Sequence, residues 1–255
     1  MKIVIKIGTS TLTHPNGKMN IRKFENICKI IADLKNAGHE IIIVSSGAIA
    51  MGVGKLPLFE RPSDMPTKQA AASVGQCELM YTYDKLFSEY NHTVGQILVT
   101  ASELTHTDRL ENFTNTLERL LSLNVIPIIN ENNTVAVEEI KIGDNDTLAS
   151  IISIIANADL LILMSDVDGL YSSNPNEDKN SVLLSEIHTI DENIISLCGD
   201  SDNEFGTGGM KTKINAAIYC TDNNCDVIIM NGSKPELLYD AALGKTIGTK
   251  FFKKG

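Results

Sequence analysis

The sequence predicts an α/β protein: a three-layer αβα sandwich around an open, mainly parallel sheet. Three observations predict it. Residues 2–44 read as strand, helix and strand, a unit whose two strands are expected to be parallel. Buried runs rich in Ile, Val and Leu then alternate with helical patterns along the rest of the chain. Several of those runs end in small or polar residues, and ligands of such sheets sit at the carboxyl edge of the strands.

Residues 2–7 (Lys-Ile-Val-Ile-Lys-Ile) form the first expected strand, closed by Gly8-Thr9-Ser10-Thr11. A turn of that kind brings backbone N–H groups close to a phosphate. Lys6, at the strand's end, is either a solvated lysine or part of that site. Asn20 suits a helix cap, and Ile21, Phe24, Ile27, Ile30, Ile31 and Leu34 repeat at helical spacing up to a stop at Gly38. Residues 40–44 give the second strand. Ser45-Ser46-Gly47-Ala48-Ile49-Ala50 follows it, a run that either caps a helix or places an anion at its start.

Residues 52–66, with three prolines, read as loop. Residues 68–89 read as a long helix, 92–100 as a strand, 108–123 as a helix and 125–129 as a buried strand. That strand delivers Asn130-Glu131-Asn132-Asn133-Thr134, a turn whose side chains are also able to hold a ligand. Residues 135–142 suggest a short hairpin. Gly143-Asp144-Asn145-Asp146-Thr147 then opens an apolar helix over 148–156. Its acids cap the helix, or face a ligand, or do both. Residues 160–164 form a strand ending at Ser165-Asp166. A polar loop covers 174–180, a helix is expected after Asp191, and 199–204 is acidic. Gly206-Thr207-Gly208-Gly209-Met210-Lys211-Thr212-Lys213 opens a helix through Thr221, a phosphate-cradle pattern. Residues 226–230 form a strand, 235–243 a helix and 246–252 a last strand. No repeat or linker interrupts the alternation, so a single domain is expected over residues 1–255.

Composition narrows the function. The hydrophobic fraction of 43% and charged fraction of 21% are those of an ordinary globular protein. A net charge of −10 argues against nucleic acid as the main partner, since phosphate-backbone binding needs clustered Lys and Arg. Five cysteines without Cys-x-x-Cys spacing suggest free, mostly buried thiols in a reducing compartment. The apolar run at the N-terminus is too short for a signal peptide, and no run approaches a membrane span, so a cytoplasmic protein is expected.

Other motifs fail on context. Gly244-Lys245-Thr246 lacks the first glycine of a P-loop, which would fall at Tyr239. No dinucleotide fingerprint follows the first strand. Asp144-x-Asp146 lacks the later glycine and glutamate of a calcium loop. The five histidines show no metal spacing and read as surface or capping residues, and Ser45 and Ser46 have no evident triad partners.

Two glycine-hydroxyl turns, two lysines, an Asp-Asn-Asp segment and a Gly-rich lysine loop suit phosphoryl transfer. That reaction needs positioning and charge neutralisation more than covalent help. A carboxylate acceptor carries no proton to remove, so the absence of a general base fits. Each well-aimed lysine contributes about 3–4 kcal/mol to lowering such a barrier.

Taken together, Lys6-Ile7-Gly8-Thr9-Ser10, Val44-Ser45-Ser46-Gly47-Ala48-Ile49-Ala50, Asn130-Glu131-Asn132, Ile142-Gly143-Asp144-Asn145-Asp146 and Gly206-Thr207-Gly208-Gly209-Met210-x-Thr212-Lys213 resemble the glutamate 5-kinase family of the amino acid kinase superfamily. The resemblance spans nearly the whole chain, in order. It implies ATP-dependent phosphorylation of the L-glutamate side-chain carboxylate to glutamyl 5-phosphate, the first step of proline synthesis. It implies that Lys6 and Lys213 neutralise the transferring phosphoryl group, that Asp146 orients them, and that Asp144 lies close by. Gly8 and Gly47 would bring backbone N–H groups to the phosphates. Ser46, Gly47, Asn133 and Asn145 would hold glutamate in a mainly glutamate-binding N-terminal part. Ser165, Asp166, Thr207, Gly208, Gly209, Met210, Lys211, Thr212 and Lys213 would bind ATP in a mainly nucleotide-binding C-terminal part. Magnesium would come with the nucleotide, without a protein metal cage. A homo-oligomer, feedback by proline and transfer of the product to a glutamyl phosphate reductase are implied as well. Asn133 and Ser165 stand where the family commonly has Asp and Thr. Many members carry a further C-terminal RNA-binding-like domain, and a short form without it is expected. The alternatives are a kinase of the same superfamily acting on acetylglutamate, carbamate or a nucleoside monophosphate, and a catalytically inactive nucleotide- or amino-acid-binding regulator.

Overall fold

Alternating burial on both faces of the strands decides the architecture. In β1 (Lys2–Ile7), Ile3, Ile5 and Ile7 enter one core and Val4 the other. In β2 (Glu40–Ser45), Ile41 and Ile43 enter the first core and Ile42 and Val44 the second. Strands apolar on both faces belong inside a parallel sheet covered by helices on each side. The computed structural model describes residues 1–56, 58, 62–135, 144–175, 177–198 and 209–254, and shows that arrangement.

Between β1 and β2 lie α1 (Thr9–Leu12) and α2 (Ile21–Asn36). After β2 come α3 (Ala48–Lys55), α4 (Met65–Ser88), β3 (Val94–Val99), α5 (Ala101–Thr105), α6 (Thr107–Ser122) and β4 (Ile126–Glu131). The second half holds α7 (Asn145–Ile155), β5 (Leu160–Ser165), β6 (Glu186–Ile187), α8 (Glu192–Ser196), α9 (Met210–Asp222), β7 (Asp226–Asn231), α10 (Leu237–Ala242) and β8 (Thr249–Phe251). The sheet order is β3-β4-β2-β1-β5-β7-β8-β6. All neighbours are parallel except β7 and β8.

The first core packs α2, α4 and α10 on one face, with Phe24 edge-on to Tyr83 at 4.6 Å between ring centres. The second packs α6, α7 and α9 on the other. Chain order reverses at β1, which has β2 on one side and β5 on the other. The carboxyl ends of β4, β2, β1, β5 and β7 therefore meet at one edge, with the reversal in the middle, which is where open α/β sheets bind ligands.

Most helix ends are set locally, as the sequence predicts. The Asn20 side chain accepts from Lys23 N at 3.2 Å, and Gly38, at φ +94°, follows the last residues of α2. Asn124, Asn157 and Asn224 adopt φ of 61°, 50° and 64° just after α6, α7 and α9, turning each helix into the next strand.

The structure corrects several expectations. Residues 52–66 are not all loop: Gly52–Lys55 still belong to α3, and Met65-Pro66 open α4. Proline is compatible with a first helical turn, where its missing N–H has no partner to lose, and Asp64 caps that turn by accepting from Thr67 N at 2.9 Å. His92 is buried rather than at the surface, with Nε2 3.2 Å from the Ala32 carbonyl. Cys28, Cys220 and Cys225 are buried, whereas Cys77 is exposed. The last strand is shorter than expected and runs antiparallel to β7. The segments α1, α5 and β6 carry too few residues to show periodicity and were not anticipated. The expected hairpin, except Val135, and the acidic 199–204 segment lie outside the described residues.

Helices α3 and α4 approach backbone to backbone. A Cβ on Gly52 would stand 1.8 Å from the Ala71 carbonyl oxygen, and one on Gly75 would stand 1.7 Å from that of Ala48. Alanine normally gains about 1 kcal/mol over glycine inside a helix. At Gly75 the sign reverses: Gly75→Ala is expected to destabilise the fold by about 3 kcal/mol through overpacking. A urea-unfolding midpoint equal to or above that of the natural sequence would contradict this packing.

Candidate active site

The site begins with a charge problem. Asp146 lies in the first turn of α7 and is fully buried. A buried carboxylate is stable only when paired and hydrogen-bonded. Its Oδ1 lies 2.7 Å from Lys6 Nζ, at the end of β1, and its Oδ2 lies 3.0 Å from Lys213 Nζ, in the first turn of α9. Thr212 Oγ1 donates to the same Oδ2 at 3.0 Å. Burial raises the pKa of Asp146, but the two ammonium groups outweigh it and hold the carboxyl below its ordinary value. Lys6 and Lys213 are themselves buried. The two ammoniums share this one buried carboxylate at the sheet edge.

Asp144 caps the helix, as one reading of the acidic segment expects. Its Oδ1 accepts from the backbone N–H groups of Asp146 and Thr147 at 2.7 and 2.8 Å. This fixes the first turn of α7 and therefore the aim of Asp146. Burial pushes the Asp144 carboxyl up, with the Asp146 charge adding to it, while the Thr147 N–H and Lys6 pull the other way.

On the β2 and β4 side, Asn145 Nδ2 donates to the Ser45 carbonyl at 3.1 Å, to Ser46 Oγ at 2.8 Å and to Asn130 Oδ1 at 3.1 Å. Gly47 caps α3 at φ +102°, a conformation that favours glycine. Behind this turn, Tyr83 Oη lies 2.9 Å from Ser45 Oγ, and burial pushes the tyrosine's pKa up so that it stays protonated. Asn133 Nδ2 donates to the Glu131 carbonyl at 3.2 Å.

On the β5 and β7 side, Ser165 Oγ donates to Asp166 Oδ1 at 3.1 Å, and Asp166 is exposed. Gly8 follows β1 beneath this edge; a Cβ there would lie 3.7 Å from Lys6 Nζ and 3.4 Å from the Met164 carbonyl. Gly209 caps α9. Met210 packs partly into the second core, and Lys211 is exposed. Thr207 and Gly208 lie outside the described residues.

The structure thus brings Lys6, Asp146 and Lys213 into one cluster, with Ser46, Gly47 and Asn145 on one flank. Thr212, expected at the nucleotide, bonds Asp146. Tyr83, Gln76 and Asp168 were missed. Asp168 accepts from Asn231 Nδ2 at 3.1 Å and from Lys234 Nζ at 2.8 Å. Only Asn231, Lys234 and Asp168 falling at neighbouring strand ends would have signalled it, and that needs the sheet order.

Neutralising Asp146 removes the carboxylate that both buried ammoniums share. Asp146→Asn is expected to cost about 3–5 kcal/mol at neutral pH. The folded pKa of Asp146 is depressed, so its stabilisation is present above the unfolded value and is lost as pH falls through the lower folded value. Urea unfolding between pH 3 and 7 should show that acid-side loss in the natural sequence and less of it in Asp146→Asn; identical profiles would refute the clamp.

Comparison with known proteins agrees with this geometry. The model of the amino acid kinase family matches residues 1–231. A glutamate 5-kinase of Clostridium acetobutylicum is 50% identical over 253 residues, 99% of this chain and 95% of that protein. One from Listeria monocytogenes is 49% identical over 257 residues, covering 99% and 93%. Among solved structures, carbamate kinase from Giardia lamblia superposes with a TM-score of 0.70 at 18% identity, covering 99% of this chain and 98% of that one. An isopentenyl phosphate kinase from T. acidophilum gives 0.68 at 17%, covering 98% and 100%. At such identities the likeness is one of fold. The matched family model, the near-complete overlap with relatives at half identity and the shared fold agree: this chain belongs to the amino acid kinase family.

Proposed function

We propose that this chain transfers the γ-phosphoryl group of ATP to the side-chain carboxylate of L-glutamate, giving ADP and L-glutamyl 5-phosphate. The observation that carries the reading is the buried Lys6–Asp146–Lys213 cluster at the point where the sheet reverses. Two ammonium groups held at one point suit a transferring phosphoryl group. The curated relatives at about half identity are glutamate 5-kinases, which supports the acceptor.

A carboxylate oxygen of glutamate attacks the γ-phosphorus. A new O–P bond forms, the bond from phosphorus to the β,γ-bridging oxygen breaks, and its electron pair leaves with ADP. The acceptor is already an anion, so no proton has to be removed. Lys6 and Lys213 offset the charge on the transferring oxygens. Asp146 is a positioning residue that holds both lysines, and Asp144 holds the turn that carries Asp146. Ser46, Gly47, Asn133 and Asn145 hold glutamate. The backbone at Gly8 and Gly47, with Ser165, Asp166 and the 207–213 segment, takes the phosphates and nucleotide. Among the described residues no group of three or more His, Cys, Asp or Glu is placed to hold a metal. Magnesium would come with the nucleotide, held mainly by phosphate oxygens and water, and would offset phosphate charge.

No helix among the described residues is long and apolar enough to cross a membrane. On the same reading the chain works in the cytoplasm as a homo-oligomer, proline inhibits it, and its labile acyl phosphate passes to a glutamyl phosphate reductase. The N-terminal part serves glutamate and the C-terminal part serves ATP.

A coupled ADP-release assay across L-glutamate, acetylglutamate, carbamate and nucleoside monophosphates tests the acceptor; turnover of another compound without glutamate turnover overturns it. Lys6→Ala and Lys213→Ala are expected to lower kcat by about 100-fold or more. Their glutamate KM should change far less, because they act on transition-state charge. Unchanged kcat in either variant refutes its role. Asn133→Asp should lower the glutamate KM by adding a carboxylate for the substrate ammonium, and an unchanged KM removes Asn133 from that contact.

A further inference from the structure

Three amides join α4 to the acceptor flank. Asn145 Nδ2 donates to the Ser45 carbonyl, a group that only accepts, so the direction of this amide is fixed. Asn130 Oδ1 accepts from the Glu131 backbone N–H at 2.8 Å, a group that only donates, so this amide is fixed as well. That leaves Asn130 Nδ2 pointing away, and it donates to Gln76 Oε1 at 2.9 Å. Two backbone groups thus determine the orientation of all three side chains. Asn130 is 1% exposed, so its Nδ2 has no recourse to solvent. Gln76 supplies the oxygen it needs.

Gln76 does not touch the reacting atoms. It lies on α4, is 8% exposed, and its Nε2 is buried with no hydrogen-bond partner among the described residues. The cavity it lines with Ala48, Leu98 and Asn132 measures about 10 Å³. That is near the size of one water and far too small for an amino acid. The oxygen of Gln76 has a defined use: it is the acceptor of the buried Asn130 Nδ2.

We infer that Gln76 is a positioning residue for the amino-acid acceptor: through Asn130 it holds the Asn145 amide with Nδ2 on the Ser45-Ser46 turn and Oδ1 turned away as an acceptor for a substrate ammonium group. Without the Gln76 oxygen, the buried Asn130 Nδ2 loses its partner and the amide must rotate to recover one. Its Oδ1 then leaves Asn145, whose amide keeps its direction from the Ser45 carbonyl but loses one of the three contacts that hold it in place. The inference rests on the reading of this flank as the glutamate site.

Steady-state kinetics of the full chain with glutamate and ATP provide the test. Gln76→Met, which keeps volume and removes the oxygen, is expected to raise the glutamate KM about tenfold, with kcat and the ATP KM within about twofold. Gln76→Asn, shorter by one methylene, should raise the glutamate KM in the same direction, and it carries the test if the methionine variant does not fold. Gln76→Glu keeps an oxygen for Asn130 and should stay within about threefold of the natural sequence. In an Asn145→Ala background, Gln76→Met should add less than about twofold, because both changes act on one contact. An unchanged glutamate KM in the methionine and asparagine variants overturns the inference, as does a full tenfold effect in the Asn145→Ala background. If the natural sequence fails to phosphorylate glutamate, the reading of the site falls and this inference with it.

Discussion

The structure depends on a carboxylate that has no access to water. Asp146 is tolerable in the interior only because Lys6 and Lys213 reach it, and those lysines are tolerable at their depth only because Asp146 is there. The three groups come from β1, α7 and α9, so one electrostatic condition ties the centre of the sheet to two helices distant in sequence. The arrangement also gathers two ammonium groups at one point of the sheet edge. Such clusters are seldom optimal for stability, since apolar residues of the same size would pack without desolvation.

Strand order then divides the labour. Because the chain turns back at β1, the ends of β2 and β4 fall on one side of the lysines and the ends of β5 and β7 on the other. One flank is built from Ser46, Gly47, Asn130 and Asn145, short groups tied by hydrogen bonds to main chain. The other is built from Ser165, Asp166 and the start of α9, with Asp168 and Lys234 beside them. An acceptor and a donor of the phosphoryl group would approach from opposite flanks, with the lysines where they meet.

Much of this was legible in the chain. The short runs rich in Ile, Val and Leu at 2–7, 40–44, 125–129 and 160–164 read as buried strands, and the polar residues that end them marked the working edge. Lys6, Asp146 and Lys213 stood out because each sits where a strand or helix meets a turn. What the chain hides is pairing. Nothing in the spacing of Gln76 and Asn130, 54 residues apart, shows that one supplies the other's hydrogen-bond acceptor. Thr212 reads as a phosphate ligand by position, and only the approach of α9 to α7 shows it bonded to Asp146. Likewise Gly52 and Pro66 read as loop residues by type. Their helical setting follows from the α3–α4 contact and from proline's tolerance of a first turn, neither of which is a local signal.

The glycine contacts between α3 and α4 bear on mechanics. Where side chains separate two helices, rotamers absorb small displacements; where main chain rests on main chain, little is left to yield. Helix α3 starts at the Gly47 turn, and α4 carries both Tyr83 and Gln76 to the back of that turn. The pair therefore forms one stiff lever some 24 residues long in its longer arm. The position of the Gly47 turn is thus tied to that of α4 through main chain as well as through side chains.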